Sequence, residues 1–274
     1  MADNIIEGTG TEQDPYIITN MAELYDKASE SGAYLRIHNN INITDEYPDG
    51  DMPVINLNSI IDGNNKIISN WYKTNADGFI RVSANSVIHD LTFSNIYSPN
   101  STFANFVGGG DEYHFVNCKF RGIIGEMGYA VDDYGSVKNF SSCSFNIKAT
   151  SGLMGGMWTF VGIRYCRIKF TVDSTANAVI DGCRPWNNEI NACYIEAPCK
   201  PRSDTNGNFI NCVCDLTTNQ TFTISGYAPN EAKTIVNSTH APNASLDSDT
   251  NFVLVSDSDW LNVSYLRSIG FNAG

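Results

Sequence analysis

Basic residues are scarce in this chain. Its 274 residues include 17 Lys and Arg against 30 Asp and Glu, a formal net charge of −13. Nucleic-acid phosphates demand a basic surface, so neither DNA nor RNA is an expected partner. The same sign argues against docking on an anionic membrane. Long apolar runs are missing as well. No stretch of 18 apolar residues is available for a transmembrane helix. Met1 to Asn20 has no basic start and no apolar core, so no signal peptide is expected. Helical periodicity is almost absent. The exception is a helix expected over about residues 20–31, with Asn20 as cap and Glu23 three residues on. Leucines at fixed offsets, the mark of a leucine-rich repeat, are lacking. No Pro-rich, Ser-rich or charge-block linker divides the chain, which fits one continuous domain.

Recognisable motifs for cofactors are lacking too. Gly108-Gly109-Gly110 has no following Lys-Ser/Thr, so it reads as a loop between strands and not as a phosphate loop. The eight cysteines contain no CxxC knuckle, which excludes a zinc finger. His38, His89, His114 and His240 are dispersed along the chain and read as surface or strand residues. No metal and no cofactor is therefore expected.

A repeated triplet stands in place of these motifs. Leu91-Thr92-Phe93 is followed by Cys118-Lys119-Phe120, Cys143-Ser144-Phe145, Cys166-Arg167-Ile168, Cys193-Tyr194-Ile195 and Cys212-Val213-Cys214. The first positions lie 27, 25, 23, 27 and 19 residues apart, and Ile41-Asn42-Ile43 and Ile67-Ile68 extend the series upstream. Apolar–variable–apolar alternation marks a short strand with one inward face. One such strand every 20–30 residues is the pattern of a solenoid. Asn, Asp or Gly lies beside the strand in nearly every rung, as in Asp62-Gly63-Asn64-Asn65, Asn95 and Asn117, and these residues favour tight turns. In such a stack most cysteines fall at inward positions. They are expected to be free, buried thiols, in keeping with folding in a reducing cytosol.

Residues 1–18, with Gly8-Thr9-Gly10-Thr11 and Asp14-Pro15-Tyr16-Ile17-Ile18, resemble the entry segment of the pectin-lyase-like superfamily of right-handed parallel β-helices. Asp62-Gly63-Asn64-Asn65-Lys66-Ile67-Ile68 and Val87-Ile88-His89-Asp90-Leu91-Thr92-Phe93-Ser94-Asn95 are similar to that superfamily's rungs. The ending Tyr265-Leu266-Arg267-Ser268-Ile269-Gly270-Phe271 resembles the C-terminus of bacteriophage tail and appendage proteins built on this fold. The expected architecture is all-β: a right-handed single-stranded parallel β-helix. Residues 1–33 form an N-terminal cap of strand plus helix, 34–255 the solenoid and 256–274 a C-terminal cap.

The resemblance implies contact with polysaccharide. Hydrolysis would need two carboxylates flanking the glycosidic bond, and the candidates are Asp132, Asp133 and Glu126. Polygalacturonase-type hydrolases of the superfamily carry Asp-Asp, Gly-His-Gly and Arg-Ile-Lys. Here Asp132-Asp133 and Arg167-Ile168-Lys169 are present, but no His lies between them, and Ile168 falls in the repeat triplet. Sugar faces stack on aromatic rings, and Trp71, Tyr72, Tyr129, Tyr134, Trp158 and Trp186 sit near turns, as candidate glycan-binding residues. The expected function is a non-enzymatic virion protein: a tail appendage or receptor-binding protein, as a homotrimer, contacting host-surface glycan or other tail proteins. The alternatives are a polysaccharide depolymerase and a bacterial surface adhesin.

Overall fold

The computed structural model describes residues 6–49, 52–73, 78–107, 113–130, 138–149, 157–158, 162–172, 180–181, 189–197, 208–210, 212–216, 222–224, 234–239, 244–246, 252–260 and 262–269. Every assigned strand pair among them is parallel. Nine strands form one sheet, from Tyr16–Ile18 through Tyr34–Ile37, Ile60–Asp62, Val87–His89 and onward to Asn208–Ile210. Twelve form a second sheet, which forks. One arm runs through Ile41–Asn42, Ile67–Ser69 and the starts of Thr92–Val107 and Lys119–Ala130. The other runs through Ile55–Leu57, Ile80–Ser83 and the end of Thr92–Val107. Each rung therefore lays strand on two or three sides of a common core, and the expected parallel β-solenoid is the fold found.

The register turns the sequence repeat into side-chain ladders. In the first sheet Leu35, Ile61, Ile88, Phe115, Phe140 and Ile163 stand on one another. In the second, Ile41, Ile68, Phe93, Phe120, Phe145, Ile168 and Ile195 do the same. Stacked rings fill the middle: Phe93 on Phe120 at 4.9 Å, Phe120 on Phe145 at 5.0 Å, and Phe115 on Phe140 at 5.3 Å between centroids. Burying each ring stabilises by about 2–3 kcal/mol, and each ring pair adds about 1 kcal/mol.

The triplet's first positions, Leu91, Cys118, Cys143, Cys166, Cys193 and Cys212, are all buried, and the five thiols are free. Upstream the register corrects the sequence reading by one residue. Ile67 pairs with Thr92 and is 40% exposed, while Ile68 pairs with Phe93 and is buried. Ile41 aligns with Ile68, at the third position of the triplet and not the first, a correction of two residues.

Between the sheets the chain turns a corner on one left-handed residue. Asp90, Asn117, Ser142, Tyr165 and Ala192 all have φ between 51° and 56°, and each immediately precedes a first-position residue. Gly122 solves a different problem. A register shift in the Thr92–Val107 pairing brings Ile96 opposite it at φ 151°, and a Cβ there would sit 2.2 Å from the Ile96 carbonyl oxygen.

The N-terminal helix, Met21–Ala28, is shorter than expected. Asn20 caps it by accepting the Glu23 N–H at 2.9 Å, and Glu23 reaches back to the Thr19 N–H at 2.7 Å. Glu46, from the next rung, accepts the free N–H groups of Met21 and Ala22, both at 2.7 Å. The helix ends at Ser29 because the chain turns through Gly32 at φ 71° to enter Tyr34–Ile37. Met21, Leu24 and Ala28 are buried against the solenoid core. At the far end the helix Val263–Ser268 buries Leu266 against Ile235 and Val255. Gly270 and Phe271 lie outside the described residues.

Candidate functional site

The alternation that fills the core also places an aromatic pair outside it. After Ile67–Ser69 the chain passes through Asn70 at φ 65°, and Trp71 then turns inward. Its indole N–H donates to the Ile68 carbonyl at 2.9 Å, and its ring lies 5.4–5.7 Å from Phe79, Phe93 and Phe103. At 1% exposure Trp71 has no face to offer a ligand. The expectation that it binds glycan is therefore corrected: it is core. Tyr72, the next residue, points out. One rung on, Tyr97 bridges to it in parallel register, and the rings stack with centroids 5.4 Å apart and planes 7° apart. Both are 41% exposed.

A polar wall runs beside this pair. Asn42 caps the short 3-10 turn Ile43–Asp45, accepting from the Thr44 N–H at 3.3 Å and the Thr44 hydroxyl at 2.8 Å. The Asn70 side chain donates to Asn42 at 2.7 Å, and Asn95 donates to Asn70. Asn70 and Asn95 occupy equivalent left-handed corners of successive rungs. Thr44, Pro48, Asp49, Asn70, Tyr72, Asn95 and Tyr97 line a groove of about 300 Å³, a volume at the small end for a ligand site. Exposed ring faces flanked by amides and hydroxyls are what a sugar ring needs: its C–H face stacks on the aromatic and its edge hydroxyls find partners.

The first sheet carries a second cluster on its outer face. Arg36, Asp62 and His89 follow one another in register. Arg36 Nε donates to Asp62 at 2.9 Å, and His89 Nδ1 lies 2.8 Å from Asp90 and 3.9 Å from Asp62. The hydrogen bond from His89 holds the Asp90 carboxyl below the usual carboxylate range, helped by the Asn117 amide. Asp62, His89 and Asp90 are close enough to share a cation. Their oxygens are already engaged by Arg36, the Asn64 N–H, His89 and Asn117, so the cluster reads as a structural charge ladder.

The other sequence candidates fall outside what the structure describes. Glu126 and Tyr129 lie in the strand Lys119–Ala130 and Trp158 in Met157–Trp158, with side chains outside the described residues. Asp132, Asp133, Tyr134 and Trp186 also lie outside them. Arg167-Ile168-Lys169 is resolved as core and surface: Ile168 is fully buried, and Lys169 Nζ pairs with Glu196 at 2.6 Å. Sequence reading chose Tyr72 but missed its partnership with Tyr97, and missed the amide ladder altogether. The available signal was spacing, since Asn42, Asn70 and Asn95 are separated by 28 and 25 residues, about one repeat each.

The parallel sheets, stacked core ladders and helical cap define a parallel β-helix. No protein-family model and no curated protein matches the chain. Among solved structures it is similar to a Bacteroides ovatus protein named as a candidate immunoglobulin A1 protease. The two share 15% identity over 91% of this chain and 79% of that one, with a TM-score of 0.47. Nothing about chemistry follows from a likeness at that level.

Proposed function

We propose that this β-helix is a carbohydrate-binding protein that holds a surface glycan in the Tyr72–Tyr97 groove without cleaving it. The observation that supports this reading is the stacked, outward-facing tyrosine pair set against the Asn42–Asn70–Asn95 ladder. The groove's described lining supplies a single carboxylate, Asp49, where acid–base hydrolysis of a glycoside takes a pair. Placement of this binder on a bacteriophage tail, as a homotrimeric appendage or receptor-binding protein, rests on the resemblance of the C-terminal segment. The net charge of −13 suits a particle surface that does not engage nucleic acid.

Binding to a panel of bacterial polysaccharides, read together with release of reducing ends and unsaturated uronates, tests the reading. At least one polysaccharide binds, no product is released, and Tyr72→Ala or Tyr97→Ala weakens binding about tenfold, a loss of about 1.4 kcal/mol. Product release abolished by Asp132→Asn, Asp133→Asn or Glu126→Gln would establish the depolymerase alternative instead. Sedimentation at three chain masses is the expected outcome for the trimer, and a single-chain mass contradicts it.

A further inference from the structure

The groove's hydrogen-bond polarity bears on which sugars fit it, an argument that rests on the binding reading above. Three side-chain amides form one directed chain. Asn95 Nδ2 donates to Asn70 Oδ1, Asn70 Nδ2 donates to Asn42 Oδ1 at 2.7 Å, and Asn42 Nδ2 donates to Asp45 Oδ1 at 2.7 Å. The direction is fixed chemically at the lower end. Asn42 Oδ1 receives the Thr44 backbone N–H, which only an oxygen accepts, and the Asp45 carboxylate has no proton to give back. Each amide must then show its nitrogen down the chain and its oxygen up it.

The series ends at Asn95 Oδ1, which has no donor among the described residues. Linked amides polarise one another, and a carboxylate at the donor end pushes electron density toward each oxygen in turn. Asn95 Oδ1 is thus a strengthened acceptor at the groove. Asp49, the other fixed polar group besides Asn70, also accepts only. The Thr44 hydroxyl has given its proton to Asn42 Oδ1 and so offers only lone pairs; Tyr72 and Tyr97 bring hydroxyls that adapt either way, and no Lys, Arg or His is in the described lining.

We infer that the groove selects a non-anionic, donor-rich sugar residue, a neutral hexose or an amino sugar, whose hydroxyl or ammonium protons meet Asn95 Oδ1 and Asp49, and that it rejects uronates. A carboxylate brought beside Asp49 finds no cation in that lining and meets the field of a chain with net charge −13.

An array of neutral oligosaccharides (cello-, manno- and malto-hexaose), chitosan hexamer and hexagalacturonate, followed by calorimetry at low salt, tests this. A non-acidic oligomer binds at least tenfold more tightly than hexagalacturonate. Binding that weakens with added salt identifies the amino sugar, and salt-independent binding identifies a neutral hexose; either supports the inference. Asn95→Gly keeps the left-handed corner and removes the acceptor, so it weakens the preferred sugar about five- to tenfold with the fold intact by circular dichroism. Asp49→Asn narrows the gap to hexagalacturonate. Tight hexagalacturonate binding that Tyr72→Ala abolishes overturns the selectivity and leaves the glycan-binding reading standing. Silence of every oligomer toward the wild-type protein overturns both.

Discussion

Ser142, Tyr165 and Ala192 hold the same left-handed corner as Asp90 and Asn117, yet only the last two are residue types that enter it readily. At φ 51° Ala192 carries a strain of about 1 kcal/mol that glycine would relieve. Ala192→Gly is therefore expected to leave stability unchanged or raise it by up to about 1 kcal/mol in urea denaturation. An ordinary alanine-to-glycine loss of similar size would contradict the corner geometry. Gly122 is the converse case. A methyl there meets both the carbonyl oxygen and the nitrogen of Ile96 within 2.5 Å, so Gly122→Ala should cost more than about 2 kcal/mol.

His114 adds a pH dependence. It is buried, with Nδ1 against the Ser86 carbonyl at 2.7 Å and Nε2 without a partner among the described residues, and burial pushes its imidazole below the ordinary value. The folded state resists a proton that the unfolded chain takes up near pH 6.5. The stability tied to this group is therefore full above about pH 6.5 and is lost as pH falls through that value toward the lower folded-state one. The urea midpoint should drop between pH 7 and pH 5. In His114→Asn, which keeps a donor for Ser86 and cannot ionise, that drop should shrink, and an unchanged slope would assign it elsewhere.

At the scale of the strand and corner, the sequence was most readable where packing repeats. The alternation Cys118-Lys119-Phe120 predicts two buried residues around an exposed one, and the structure has them. The chain upstream was misread by one residue because Ile67 is apolar yet points outward, and an isoleucine on the wrong face cannot be told from one on the right face without register. The Asn42–Asn70–Asn95 ladder was invisible for a related reason. Asparagine beside a strand reads as a turn, and only rung-to-rung stacking shows that successive turns share hydrogen bonds.

The cysteine column makes its own prediction. Cys143 and Cys193 are pushed up by burial, and the Sγ atoms of Cys118, Cys143, Cys166 and Cys193 lie within hydrogen-bond reach of backbone carbonyls. At least five of the eight thiols should resist a disulfide reagent in the native protein and react once it is unfolded. Fast modification of all eight in the native state would exclude the ladder.

For the whole molecule, architecture and chemistry separate. Hydrophobic periodicity is enforced along the entire solenoid, so a single sequence suffices to read it. A binding groove is made by a few outward residues on adjacent rungs, and nothing in the core pattern marks them. Tyr72 and Trp71 are neighbours of similar chemistry, and only the strand's alternation sends one to the surface and the other to the core. The helix Met21–Ala28, held by Asn20 and Glu46, closes the same end of the stack that carries the groove. Among the described residues no helix is long and apolar enough to cross a membrane.

A crystal structure of the protein with its best-binding oligosaccharide tests the central claim most directly. The account predicts a sugar ring seated in the Tyr72–Tyr97 groove, with a donor on Asn95 Oδ1 and the glycosidic bonds intact. Density for the oligosaccharide on another face of the solenoid, with this groove empty, would contradict it.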